Sequence, residues 1–195
     1  MGNKVANYLI LSQLSLLTFL AICTGLLPGF LFSRNEGGMS NYGVHAKTVV
    51  PYTLAFLLCT ICIGQAARIL PRTTRFLRSF AHSLYAAACL FFLVLITTYP
   101  YQTNTFFGDL HLAATVIIFW FQTALAVWMA LVVLKDKLSL IIFALELGGF
   151  AMAFLTFLTV IHLLFVAQLI TGATFGILLV RTAQRLAGSL SYKTG

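Results

Sequence analysis

LSLIIFALELGGFAMAFLTFLTVIHLLFVAQLITGATFGILLV, residues 138–180, is the stretch that decides the fold of this chain. Its only strongly polar side chains are Glu146, His162 and Gln168. A helix crosses the hydrocarbon core of a bilayer, about 30 Å thick, in about 20 residues. The stretch is therefore long enough for two crossings, and it predicts two membrane-spanning helices that fold back at a tight turn near residues 156–162.

Four further apolar runs precede this stretch. The chain is 61% hydrophobic and only 8% charged, whereas soluble domains carry about 25% charged residues. Such a chain has too little polar surface to cover itself in water. We predict one all-α domain, residues 1–195, that forms a bundle of six transmembrane helices. The predicted spans are 6–32, 49–70, 76–99, 110–134, 138–158 and 161–186.

The basic residues predict the orientation of the bundle. Ten of the 12 lysines and arginines fall on the side shared by both termini, the loop between spans two and three, and the loop between spans four and five. Only Arg34 and Lys47 fall on the other side. Basic loop residues are enriched on the cytoplasmic side of membrane proteins, so both termini are predicted to be cytoplasmic.

The placement of the basic residues also argues against a nucleic-acid-binding protein. The net charge of +8 could indicate nucleic-acid binding, but the cations cluster at the ends of apolar runs, where they meet lipid headgroups.

The apolar run from Val5 to Phe32 is too long for the apolar core of a signal peptide, so we predict that it is the first span. All four cysteines lie in apolar runs, where we expect packing roles. A bacterial plasma membrane is our default location.

Polar residues that can form a ligand site gather on the predicted external side. They are Arg34, Glu36, Asn41, His45, Asp109, His111 and His162. We predict a polar pocket in which Arg34 faces an anionic group and Asp109 orients His111. Asp109 and His111 could instead bind zinc with another histidine, or Asp109 could simply cap the fourth helix. We assign no metal ligand and no cofactor on this basis.

The first external loop, residues 33–48, contains several glycines and asparagines, which permit compact turns. Such a loop can fold down as a lid over the bundle, or it can be a solvated connector. The Gly172–Gly176 and Gly25–Gly29 pairs have the spacing that lets helix backbones approach closely. We expect packing within the bundle there, with a homodimer or a membrane partner at Gly172 and Gly176 as the alternative.

Three polar residues are predicted to lie at membrane depth: Glu146, Gln122 and His82. Ionisable groups at such depth face the bundle interior or a cavity. Glu146 could serve a small proton-coupled transporter, or it could be a protonated, hydrogen-bonded structural residue. Both interpretations stay open on the sequence alone.

Short motifs also resemble a known family. The first span ends in Pro28 and an aromatic residue, the segment Ser40 to Gly43 follows, and His111 opens the fourth span. This pattern is similar to the DRAM/Frag/Sfk-type six-span membrane proteins and their bacterial relatives. Asn41 stands where that family has an aspartate, and Thr115 stands where it has a small residue. The resemblance implies lipid handling, including remodelling of lipid anchors.

We therefore predict an integral plasma-membrane protein whose external polar pocket binds or handles a lipid or a small amphipathic ligand. The first alternative is a membrane-embedded lipid hydrolase or transferase that uses an Asp/His site. The second is a transporter that uses Glu146. The partners expected from the sequence are membrane lipids.

Overall fold

The computed structural model describes residues 2–29, 38–100 and 103–191, and these residues form six long helices and one short helix. The long helices are α1 (Gly2–Leu26), α3 (Val49–Ile69), α4 (Arg75–Thr98), α5 (Thr105–Trp128), α6 (Lys137–Phe157) and α7 (Leu164–Ser191). The short helix α2 (Ser40–Gly43) lies in the first loop. Helix α5 continues directly into a π-helical turn, Met129–Leu134.

Each long helix is long and apolar enough to cross a membrane. Large apolar side chains cover the outside of the bundle, and Leu17, Phe106 and Trp120 are all more than half exposed. An apolar surface of this extent matches lipid and not water. The predicted six-span, all-α fold is confirmed, whereas the cytoplasmic location of both termini stays a prediction.

The six long helices close a ring in chain order. Helix α1 packs against α3, α3 against α4, α4 against α5, and α6 against α7. Helix α5 and its π-helical turn contact both α6 and α7, and α7 packs back onto α1. We call the end of the ring that carries Arg68, Arg75 and Lys135 the basic end. The opposite end, which carries α2 and the turn at residues 158–163, is the loop end.

The first helix is shorter than predicted. The predicted span runs to residue 32, but α1 ends at Leu26. Pro28 disfavours helical backbone in the residue before it, and Gly29 has a φ of 71°, a conformation that residues other than glycine rarely adopt. Residues 30–32 lie outside the described part of the chain.

The fourth span begins earlier than predicted. Helix α5 starts at Thr105 and not near residue 110, because the side chain of Asn104 caps it and accepts a hydrogen bond from the Phe106 amide at 2.9 Å. Asparagine is among the best residues for this position. Asp109 therefore lies in the second turn of the helix, and the alternative in which it caps α5 is wrong.

The fold-back between the last two spans is where the sequence predicts it. Helix α6 ends at Phe157 and α7 begins at Leu164. Thr159 has a φ of 61°, and the Thr156 hydroxyl accepts a hydrogen bond from the Leu163 amide at 3.2 Å. These features reverse the chain within six residues at the loop end.

Two clusters of buried side chains hold the ring together. The cluster nearer the basic end is mostly aliphatic and draws residues from all six long helices. The cluster nearer the loop end is aromatic: the Phe19 ring packs edge-on against Tyr42 at 5.8 Å and Tyr52 at 5.5 Å. The Tyr52 hydroxyl lies 3.0 Å from the Thr98 hydroxyl. The second cluster thus joins α1, α2, α3 and α4 at the loop end.

Helices α6 and α7 approach most closely at Gly149. A methyl group at Gly149 would lie 2.8 Å from Cγ2 of Thr171 and 3.0 Å from Cγ2 of Ile170. Both neighbours are β-branched and have little rotamer freedom in a helix. At the adjacent Gly148, the same methyl group would meet no heavy atom within 4 Å. The absence of a side chain therefore matters at Gly149 and not at Gly148.

We expect Gly149→Ala to lower the free energy of unfolding by about 1–3 kcal/mol, the usual cost of overpacking. Gly148→Ala is the matched control, since its methyl group points into open space, and it should not destabilise the protein. Thermal unfolding of both variants in detergent measures the difference. Equal melting temperatures for the two variants would contradict the close packing of α6 on α7.

Candidate functional site

A cavity of about 490 Å³ lies inside the ring, mainly between α1, α5 and α7. Its wall is mostly apolar and includes Leu14, Leu17, Phe56, Phe91, Ile118 and Ile177. Its polar lining residues include Gln13, Ser40, Thr115, Gln122, Gln168 and Arg181. A wall of this kind suits a ligand that is mainly hydrocarbon and carries a few polar groups.

The cavity extends along α7. Gln168 lies at its loop end and Arg181 at its basic end, and both belong to α7. Their separation along the helix is about 20 Å at a rise of about 1.5 Å per residue. Since one leaflet of the hydrocarbon core is about 15 Å thick, the cavity is long enough to hold an acyl chain lengthwise.

A seam between α1 and α7 connects the cavity with the surface of the bundle. Leu14 and Leu17 of α1 and Ile177 of α7 line the cavity, and each is about half exposed. Their exposure places them at the lipid-facing perimeter and on the cavity wall at once. A ligand can therefore enter sideways from the bilayer.

The glycine pair of α7 shapes this seam. An added Cβ at Gly176 would clash with the Gln13 side chain of α1, so α1 and α7 are in close contact there. An added Cβ at Gly172, one turn nearer the loop end, would meet no heavy atom within 4 Å. The close approach at Gly176 is thus within the chain, and Gly172 leaves open space on the cavity wall.

Residues 38–48, which we call the lid, cover the loop end of the cavity. The Met39 amide donates a hydrogen bond to Oε1 of Gln168 at 2.7 Å, and Tyr42 is only 1% exposed. The Thr48 hydroxyl donates to the Tyr42 carbonyl at 2.7 Å. This part of the first loop therefore packs on the bundle as a lid, while residues 30–37 lie outside the described part of the chain.

His111 joins the lid to two spans. Its Nδ1 atom lies 3.1 Å from the Thr97 hydroxyl of α4, and its Nε2 atom lies 3.0 Å from the Ser40 hydroxyl of the lid. The Thr97 hydroxyl already donates to the Leu93 carbonyl at 2.8 Å, so it accepts from Nδ1–H. In the neutral ring, Nε2 then carries the lone pair. Ser40 accordingly donates its hydroxyl proton to Nε2 of His111.

The structure brings only part of the predicted external site together. Asn41 follows Ser40 in α2 and is half-buried beside the lid contact. Asp109 is exposed, and residues two apart in a helix do not share a face. The predicted role of Asp109 in orienting His111 is therefore wrong, because the hydroxyls of Thr97 and Ser40 hold the ring.

The other predicted site residues that the structure describes lie apart from the cavity. His45 is half-buried in the lid, where its Nδ1 atom accepts from the Lys47 amide at 3.3 Å. His162 is exposed in the turn before α7, and His82 is exposed on α4. Arg34 and Glu36 lie outside the described residues. Among residues 2–29, 38–100 and 103–191, no group of three His, Cys, Asp or Glu side chains is arranged to hold a metal ion.

Gln122 is the predicted intramembrane residue that does face the cavity. It lines the wall, is only 9% exposed, and makes no hydrogen bond with any described residue. An amide buried without a partner costs free energy. Its polar atoms face the cavity, where a polar group of a ligand can satisfy them.

Several residues of the cavity wall, and one hydrogen-bond partner of His111, escaped the sequence analysis. Thr97 and Gln13 were not singled out, and Ser40 was noted only as part of a short motif. Gln13 and Gln168 did carry a usable signal, because uncharged polar residues inside apolar spans tend to face the bundle interior. The hydroxyl of Thr97 carried none, since threonine is common in apolar helices and can bond to its own backbone.

Glu146 lies outside the cavity wall, between α6 and α7. It is fully buried, and its Oε2 atom lies 2.8 Å from the Thr174 hydroxyl. That hydroxyl also lies 2.7 Å from the Ile170 carbonyl, which can only accept. The Thr174 hydroxyl has one proton and can donate it to only one acceptor. When it donates to the Ile170 carbonyl, a neutral Glu146 donates its own proton to the Thr174 oxygen, and both contacts are hydrogen bonds. This geometry favours the interpretation of Glu146 as a structural carboxyl.

We expect Glu146→Gln to leave the melting temperature nearly unchanged, because the amide of glutamine can donate to Thr174 as a neutral carboxyl does. Thr174→Val removes the hydroxyl at nearly constant volume, and it should cost about 0.6–2 kcal/mol, the range for hydrogen bonds between membrane helices. Thermal unfolding in one detergent measures both. A larger loss for Glu146→Gln than for Thr174→Val would indicate an ionised Glu146.

At the basic end, Arg181 joins the cavity to a polar cluster. It donates to Oδ1 of Asp136 at 3.0 Å and to the Ser139 hydroxyl at 3.1 Å. Asp136 also caps α6 by accepting from the Ser139 amide at 3.0 Å. The Ser139 amide and hydroxyl, followed by the Arg181 guanidinium, hold the pKa of Asp136 below its ordinary value of 3.8. The cluster fixes the start of α6 against α7.

A carboxyl whose pKa is lower in the folded protein adds stability above its ordinary pKa and loses this contribution as the pH falls through the folded value. We therefore expect the parent to be more stable than Asp136→Asn at about pH 7, and the difference to shrink towards about pH 3. Asparagine keeps the helix cap, so the comparison isolates the charge. Melting temperatures across this range measure it, and a difference independent of pH would contradict the assignment.

Comparisons with protein-family models, with curated proteins and with solved structures each gave no match. The resemblance to DRAM/Frag/Sfk-type proteins therefore stays a prediction from short motifs.

Proposed function

We propose that this membrane protein binds a lipid, with one acyl chain held in the cavity and the polar part of the lipid at the loop end. The observation that carries the proposal is the cavity itself: a mostly apolar space of about 490 Å³ that extends along α7 and reaches the half-exposed residues of the α1–α7 seam. Its shape fits a hydrocarbon chain, and its opening faces the compartment in which lipids are found.

The polar residues of the lining support this placement of the lipid. Ser40 and Gln168 lie at the loop end, close to the depth at which an ester or a headgroup begins. Gln122 lies deeper and offers an amide to the cavity. Arg181 at the basic end is already engaged with Asp136 and Ser139, so it is less suited to hold an anionic headgroup.

The distribution of basic residues supports an orientation in which the loop end is on the external side of a plasma membrane and both termini are in the cytoplasm. We therefore propose that the lipid comes from the outer leaflet. This assignment keeps the external pocket that the sequence predicted and moves its centre from the loop into the bundle. A transport role that depends on Glu146 gains no support from the cavity, because Glu146 does not line it.

The proposal predicts that Gly172→Phe loses the bound lipid. The new side chain would fill the cavity, since an added Cβ at Gly172 meets no heavy atom within 4 Å. Each methylene displaced from an apolar site costs about 0.8 kcal/mol. The loss of two methylenes therefore weakens binding by about tenfold. Native mass spectrometry after gentle release from the cell membrane measures the lipid retained per chain.

Gly148→Phe is the matched control, because Gly148 lies on the exposed face of α6 and an added Cβ there also meets no heavy atom within 4 Å. We expect the parent and Gly148→Phe to retain the same lipid, and Gly172→Phe to retain at least about tenfold less. The proposal is wrong if all three proteins carry equal amounts of lipid, or if the parent carries none and binds no added phospholipid.

A further inference from the structure

We propose that Ser40 and His111 form the nucleophile and the general base of an acyl-transfer site that acts on a carboxylic ester of the bound lipid. The inference rests on the proposed lipid-binding function and adds a chemical reaction to it. Ser40 lines the cavity, and its hydroxyl lies 3.0 Å from Nε2 of His111. Both residues sit at the loop end, where the ester of a lipid in the cavity would lie.

The hydrogen bonds around His111 give it the form that a base requires. Thr97 donates to the Leu93 carbonyl and therefore accepts from Nδ1–H of His111. Nε2 then has the lone pair, and it accepts the proton of Ser40. A serine is a weak nucleophile until a neighbouring base takes its proton, and the base is usually oriented by a third group. Thr97 takes the place of that third group as a positioning residue, together with the backbone of Val94, which also hydrogen-bonds to His111.

Gln168 supplies a donor for the negative charge that develops on the ester oxygen. Its Oε1 atom accepts from the Met39 amide at 2.7 Å, which fixes the orientation of the side-chain amide beside the residue that precedes Ser40. Its Nε2 atom has no hydrogen-bond partner among the described residues, and the side chain lines the cavity. Donors from glutamine side chains can stabilise such an oxyanion.

The reaction is balanced without a cofactor. The Ser40 oxygen attacks the ester carbonyl carbon, and its proton moves to Nε2 of His111. The carbon–oxygen bond to the lipid alcohol then breaks, the alcohol oxygen takes the proton from Nε2, and the acyl group stays on Ser40. A second hydroxyl compound, either water or another alcohol, attacks the acyl carbon and gives its proton to Nε2. The bond to Ser40 breaks, and Ser40 regains a proton from His111.

The substrate class follows from the cavity. The apolar wall of the cavity accepts one hydrocarbon chain. The polar end accepts a carboxylic ester, whose carbonyl oxygen is uncharged before the reaction. The substrate is therefore a glycerolipid or another long-chain ester. If water is the acceptor the reaction is a hydrolysis, and if an alcohol is the acceptor it is a transfer of the acyl chain between lipids.

A long-chain alkyl fluorophosphonate tests this inference in the full-length protein in detergent. The Ser40 oxygen would displace fluoride from phosphorus, and peptide mass spectrometry locates the adduct. We expect a single adduct at Ser40, none in Ser40→Ala, and a rate about 10²–10⁴-fold lower in His111→Gln, the usual contribution of a general base. Ser15→Ala is the matched control, since Ser15 is a half-buried serine of α1 outside the cavity.

A second comparison separates the chemistry from the folding of the lid. Thr97→Ser keeps the hydroxyl that accepts from His111 and should react with the fluorophosphonate as the parent does. Thr97→Val should react much more slowly, while the dependence of the rate on the fluorophosphonate concentration stays the same. Gln168→Glu keeps the acceptor for the Met39 amide but loses the donor, and it too should react slowly. If Ser40→Ala does not fold, the position of the adduct in the parent and the Thr97 pair still decide the question.

The outcomes distinguish this inference from lipid binding. An adduct at Ser40 that depends on His111 and Thr97 supports acyl transfer. A parent that retains its lipid, loses it in Gly172→Phe and forms no adduct at Ser40 overturns acyl transfer and leaves the binding function standing. A parent that carries no lipid and binds none overturns the binding function, and the inference that rests on it falls too.

Discussion

A polar side chain between membrane helices has no water to bond with, so it needs a partner within the protein or a cavity to face. This constraint separates two of the buried polar residues of the bundle. Glu146 satisfies it in part, because its Oε2 atom bonds to Thr174 within the contact of α6 and α7, while its Oε1 atom has no partner among the described residues. Gln122 makes no bond with any described residue and faces the cavity. Glu146 holds two helices together, and Gln122 marks the cavity in which we propose that the ligand binds.

His111 satisfies this constraint through protein partners at the loop end, one of which, Ser40, lines the cavity. The ring bonds to Thr97 on α4 and to Ser40 on the lid, while Gln168 of α7 holds the same lid through the Met39 amide. The lid thus depends on three separate spans for its position. Because Ser40 is on the lid and His111 is on a span, the two form a pair only when the lid is seated.

The sequence was sufficient for the spans because hydropathy is a local property of about 20 residues. It was not sufficient for the site. His111 could be singled out as a polar residue in an apolar run, but its partners lie 14 and 71 residues away in the chain. Asp109 attracted attention because it is near His111 in sequence, yet residues two apart in a helix point to different sides. The shape of the cavity has no pattern in the amino-acid sequence, because the cavity is space that side chains do not fill.

That space also explains why the α1–α7 seam stays open. Helices in lipid are not driven together by the hydrophobic effect, so their contacts depend on close packing and on small residues. Gly176 provides such a contact with Gln13, but one turn away Gly172 faces open space. An empty apolar void forfeits the dispersion contacts of its lining atoms. In the complex that we propose, a lipid chain that enters through the seam would restore those contacts, and the same lipid would bring its ester towards Ser40.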